Sequence, residues 1–194
     1  MIVRPLPVRI FHWLNLIALW GMIGSGLQIY NANPVFGGRE GWHLPGIFLL
    51  GGWLAGARNW HFTLMWIFGL NLLAYGGYVL FSQRWRHYFV QKQDLKALQA
   101  SKNPQRRRFA WHRLAYTIII PVLLLSICTG LAMYQPAQFY WLVEWFGDWQ
   151  SLRIIHFLAV PTFIIFAIIH SSLALNIGNG VLAKAIFTVK ENKS

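Results

Sequence analysis

His156 and His170 stand fourteen residues apart in one apolar stretch, RIIHFLAVPTFIIFAIIHSSLAL. A neutral imidazole offers a nitrogen lone pair and is the commonest side-chain ligand for a metal. In an α-helix fourteen residues make nearly four turns, so both rings point to nearly the same side. At 1.5 Å per residue they are separated by roughly 21 Å along the axis. The hydrocarbon core of a bilayer is about 30 Å thick. One imidazole therefore falls near each face of a membrane, and both look the same way. Ionisable groups at that depth are costly and mark function. The chemistry they suggest is a pair of stacked haems, one for each leaflet.

The remaining histidines are His12, His43, His61, His87 and His112. The ends of the apolar spans sort them by depth. His12 and His112 open the first and third spans and share the level of His170, and His61 opens the second and shares the level of His156. A six-coordinate b-type haem takes two imidazoles at equal depth on facing helices. The outer haem is then held by His61 and His156, and the inner one by His170 with either His12 or His112. The rival chemistry, a proton path or a hard-cation site, would recruit carboxylates. All four spans lack Asp and Glu, which argues against it.

Four stretches are long enough to position these groups, at about 10–30, 60–81, 109–134 and 152–175, each near the 20 residues that a spanning helix needs. They predict an all-α membrane protein, a four-helix bundle forming one integral-membrane domain over residues 1–194. Pro121 marks an expected kink in the third helix. The glycine-rich piece 45–57 is too short to span and reads as an interfacial or re-entrant segment. Residues 137–149 read as a short amphipathic helix lying in the interface. The chain is 56% hydrophobic and only 11% charged, against about 25% in a soluble domain. Its 11 Trp and 7 Tyr suit long lipid–water boundaries.

The net charge of +12 does not indicate nucleic acid, because the basic residues flank apolar spans. Fourteen Lys and Arg fall at the N-terminal tip, between residues 84 and 113, and in the tail. Three, Arg39, Arg58 and Arg153, fall on the other side. The positive-inside rule then puts both termini in the cytoplasm and residues 31–60 and 135–152 outside. The N-terminal segment has no small-residue cleavage site and reads as a retained span. The one cysteine, Cys128, allows no intrachain disulfide.

Other positions have two readings each. Arg9 and Arg153 precede His12 and His156 by one turn, where each could meet a haem propionate or simply snorkel. His112 could bind quinone, ligate the inner haem or cap its helix. Gly21, Gly24, Gly26, Gly69, Gly76 and Gly77 could admit a flat porphyrin or allow close helix packing. Asn71 and Tyr75 could face a haem cavity or tie helices together. His43 and His87 read as loop residues.

VRIFHW at 8–13, RNWHF at 58–62 followed by MWIFGLN, and the His156–His170 spacing resemble the bacterial cytochrome b561 group. That group includes the cytochrome b subunits of nickel–iron hydrogenase, formate dehydrogenase and thiosulfate reductase. The likeness is greatest to the thiosulfate-reductase type and covers about residues 4–176. The resemblance implies a four-helix anchor for two b haems, with His12 paired to His170 and His61 to His156. It implies a quinone site near the cytoplasmic haem. The third span opens FAWHRLAY, departing at Phe109 and His112 from the group's Asn and Gln pattern, and His112 becomes the polar candidate there.

The functional expectation is transmembrane electron transfer between the quinone pool and an extrinsic periplasmic redox subunit. A molybdoenzyme fits that subunit better than a hydrogenase. The setting is the bacterial inner membrane, and a homo-oligomer is compatible with it. Aromatic residues Phe139, Tyr140, Trp141 and Trp145 are candidates for the docking contact or for interface anchoring. The alternative is a self-contained membrane oxidoreductase acting on a small redox substrate such as superoxide; a third is a binding module or transporter without redox chemistry.

Overall fold

The computed structural model describes residues 5–177 and Ile186, with the backbone alone at Arg39, Arg86 and His87. Among the described residues the chain is helical throughout, without strands. In chain order the helices are α1 Leu6–Ala32, α2 Leu54–Phe81, α3 Trp85–Tyr88, α4 Lys92–Ala100, α5 Pro104–Tyr134, α6 Tyr140–Trp145 and α7 Trp149–Asn176. Four of them, α1, α2, α5 and α7, are long and apolar enough to cross a membrane. At 27 to 31 residues each, they reach about 40–46 Å, longer than the hydrocarbon core. Large apolar side chains stand exposed along all four, among them Ile17 on α1, Leu73 on α2, Leu124 on α5 and Ile168 on α7. An apolar surface of that extent is stable only against lipid. The chain is a multi-pass membrane protein.

Helix ends depart from the sequence-based bounds, and local chemistry explains each case. α2 begins at Leu54, earlier than position 60, because Gly51 and Gly52, at φ +111° and +70°, turn the chain directly into it. The glycine-rich piece is therefore split: a 3₁₀ turn at Gly46–Phe48, an irregular stretch, then helix. The Leu50 N–H donates to the Gly24 carbonyl of α1 at 3.1 Å, and a Cβ on Gly24 would meet Leu50 at 3.2 Å. α5 begins at Pro104, ahead of position 109. Proline suits the first helical position, and the Asn103 side chain caps the end by accepting from the Gln105 N–H at 3.0 Å. Arg106, Arg107 and Arg108 thus lie on helix. Pro121 and also Pro161 lie inside α5 and α7, which continue on both sides. The amphipathic helix expected over 137–149 shrinks to α6. Gly147, at φ +100°, ends that turn, and Asp148 starts α7 by accepting the Ser151 N–H at 2.6 Å. That bond, with the Ser151 hydroxyl, holds the Asp148 carboxyl below its usual value.

The chain divides into two compact units. The first comprises Met1–Arg9, Val79–Cys128 and Leu158–Ser194. Here the segment between α2 and α5 carries α3 and α4. A capping box between Gln91 and Asp94 opens α4. Asp94 also pairs with Arg113 of α5 at 3.0 Å, and the Val90 N–H donates to Thr117 Oγ1 at 2.9 Å. The second unit comprises Ile10–Tyr78 and Thr129–Phe157. Its buried cluster is Ala132, Leu142 and Leu152, with Phe139 and Phe146 packed against it. Asn71 Nδ2 donates to the Phe11 carbonyl at 2.9 Å, and Tyr75 packs on the Phe11 ring. These two residues therefore tie α2 to α1.

Candidate functional site

In the second unit α2 and α7 bring His61 and His156 together. Their ring centroids are 6.3 Å apart with planes at 73°. The His61 Nδ1–H donates to the Met22 carbonyl of α1 at 3.1 Å. A carbonyl only accepts, so this bond places the proton on Nδ1 and leaves the Nε2 lone pair available. Ser25 Oγ lies 3.1 Å from the same nitrogen. The Ser25 hydroxyl donates to the Gly21 carbonyl at 2.7 Å, so towards His61 its oxygen accepts. Across the pair, His156 Nδ1 is hydrogen-bonded to Thr129 Oγ1 of α5 at 2.9 Å.

Each imidazole also lies against a glycine. A Cβ on Gly26 would stand 3.3 Å from His61 Cε1, and one on Gly130 would stand 3.2 Å from His156 Cε1. The two sides repeat one motif: a fully buried hydroxyl residue, Ser25 or Thr129, followed by a glycine, with the hydroxyl on Nδ1 and the glycine under the ring. Gly26, open in the sequence between porphyrin approach and helix packing, lies against a histidine of the neighbouring helix. Ser25, Thr129 and Gly130 were not singled out. Their signal was present as Ser-Gly and Thr-Gly dipeptides inside apolar spans.

His61 and His156 would be the residues to hold a haem iron here. Metal–imidazole bonds are about 2.0–2.1 Å long, and with about 1.1 Å from nitrogen to ring centre they place opposed rings about 6.3 Å apart. Anchoring of Nδ1 by a carbonyl or hydroxyl is the usual companion of a ligating Nε2. Among the described residues no three or more His, Cys, Asp or Glu cluster as a metal site. A porphyrin, which brings four nitrogens of its own, suits a two-histidine donor set.

In the first unit the structure brings His112 of α5 and His170 of α7 to 5.3 Å with planes at 26°. Tyr116 is 4.9 Å from His112 and 5.1 Å from His170, and Phe166 stacks on His170 at 5.5 Å. His112 and His170 thus stand closer than the His61–His156 rings, and nearly parallel. His12, half-buried on α1, belongs to the second unit. Arg9 donates from Nε to the Ile186 carbonyl at 2.8 Å. Arg153 donates to Gln150 Oε1 at 3.0 Å and to the Asn33 carbonyl. His43 is exposed, and the His87 side chain lies outside the described residues.

Residues 3–188 match the family model described as prokaryotic cytochrome b561. The chain belongs to that family. It is therefore a b561 cytochrome of membrane electron transfer, and membership implies binding of haem b. A relative in Azospira oryzae, named as a putative protein-methionine-sulfoxide reductase subunit YedZ1, is 30% identical over 190 residues, 93% of this chain and 94% of the relative. No solved structure matches the chain.

Proposed function

We propose that this b561 cytochrome holds two b haems and carries electrons across the bacterial inner membrane between the quinone pool and a periplasmic redox subunit. The observation that carries this reading is the His61–His156 pair, with rings 6.3 Å apart and both Nδ1 atoms anchored. When bound, a haem at this pair supplies one-electron exchange between ferric and ferrous iron. The chain's own work is to fix the two imidazoles through their Nδ1 atoms and keep water out. His170 on the same helix provides the second level, with His12 as its partner on the family resemblance. Arg9 and Arg153 stand one turn before their histidines, where a propionate would be met. His112, with Tyr116 at its edge, offers a polar ring for a quinone oxygen beside that level.

The extrinsic partner is a reductase subunit of the molybdoenzyme class. The relative's printed name, a subunit of a methionine-sulfoxide reductase, supports a multi-subunit system over a self-contained oxidoreductase. It also makes oxidised methionine in protein the first substrate class to test. Both termini are assigned to the cytoplasm by the basic residues around α3–α5.

The test is haem stoichiometry. His61→Ala and His156→Ala should each bind one haem by pyridine haemochrome where the native chain binds two. Two haems retained in either variant would refute the ligand assignment. Gentle solubilisation should recover the cytochrome with a periplasmic reductase subunit; quinol-dependent turnover by the cytochrome alone would favour the self-contained reading instead.

A further inference from the structure

We propose that Ser25 and Thr129 are positioning residues that set the ligand strength of His61 and His156, and through it the reduction potential of the group those imidazoles hold. The inference rests on the axial-pair reading above. Ser25 Oγ is 3.1 Å from His61 Nδ1 and Thr129 Oγ1 is 2.9 Å from His156 Nδ1. Both hydroxyl residues are fully buried, in spans where polar side chains are scarce. Ser25 already satisfies its own hydroxyl proton at the Gly21 carbonyl, so its second contact is one that the serine does not need. The same hydroxyl–glycine pair occurs on two different helices and meets two different histidines in the same way. Helix tying alone would not require the contact to fall on Nδ1 in both cases.

The physical consequence has a sign. With Nε2 given to the metal, each Nδ1 carries its proton and the hydroxyl oxygen accepts it; such an acceptor draws the proton outward and makes the ring a stronger donor at Nε2. A stronger donor favours ferric over ferrous iron and lowers the potential. Removing the acceptor therefore raises it. His61 keeps the Met22 carbonyl when Ser25 is lost, so the serine variant moves the potential less than the threonine variant.

The test is a spectroelectrochemical titration of the purified full chain, with haem content measured alongside. Thr129→Val should keep its haem and move one of two Nernst waves positive. The expected change in the ferric–ferrous equilibrium is threefold to tenfold, at ~59 mV per tenfold for one electron. Thr129→Ser should restore the native wave, and Ser25→Ala should move that same wave by less. Unmoved waves in haem-replete Thr129→Val and Ser25→Ala would overturn the proposal, as would equal shifts in Thr129→Val and Thr129→Ser. Should Thr129→Val shed its haem, Ser25→Ala decides by the same criterion. The two readings fail separately: unchanged haem content in His61→Ala and His156→Ala sinks the ligand pair, whereas unmoved waves sink only the role of the hydroxyls.

Discussion

At the scale of single residues, the His61–His156 pair shows how little space a ligand ring is given. The Cα of Gly130 lies so near His156 that one added methyl would stand 3.2 Å from Cε1, and at Gly26 the distance to His61 is 3.3 Å. Such contacts force the ring to yield by a few tenths of an ångström. Overpacking of this kind costs about 1–3 kcal/mol, and here the strain falls on Cε1, the atom next to the nitrogen proposed as ligand. Gly130→Ala and Gly26→Ala should therefore lose haem faster to excess apomyoglobin while keeping native helix content by circular dichroism. Loss rates equal to the native chain's would mean that the rings can retreat, and that these glycines serve helix packing alone. By contrast, an alanine at Gly69 or Gly76 meets no protein atom within 4 Å, so these two glycines are not needed to seat a histidine.

At the scale of elements, the segment between α2 and α5 is ordered by a few polar contacts. α4 is only nine residues long, too short to be stable alone in water. What holds it is the Asp94–Arg113 ion pair at 3.0 Å, with both side chains less than one-fifth exposed, and the Val90–Thr117 bond just before it. Removing one partner of a largely buried pair leaves an uncompensated charge. Asp94→Ala should cost about 1–3 kcal/mol, and Asp94→Asn less. The change is read as a lower melting temperature in detergent and faster proteolysis between α3 and α5. An unaltered melt and digest would mean that apolar packing around Ala97, which is buried, is enough to dock α4.

At the scale of the whole molecule, four helices are long and apolar enough to cross a membrane and leave large apolar side chains exposed. The proposed orientation rests on fourteen basic residues against three, since Lys and Arg resist translocation. With Cys128 replaced, a single cysteine at exposed Gln138 should react with a membrane-impermeant maleimide in intact cells. One at exposed Lys102 should react only after permeabilisation. The reverse pattern would invert the assignment and place any partner subunit on the other side.

The number of spanning helices was legible in the sequence because it depends on quantities local to the chain: apolar length and the absence of acids. The nearness of the His61 and His156 rings, 6.3 Å apart, agrees with the equal depth that the fixed rise of a helix gave them. Helix ends were less legible. Glycine turns at 51–52 and the Asn103–Pro104 cap act over two or three residues and override the hydropathy that suggested later starts. What surrounds each imidazole was decided by tertiary structure alone. Ser25 and His61 are 36 residues apart, and Thr129 and His156 are 27 apart. Whether a hydroxyl on one helix reaches a nitrogen on another depends on how the two helices are rotated and how closely they approach, which no period along either helix encodes. The stacking of His112 on His170 is of the same kind: no period along either helix brings those two rings to 5.3 Å.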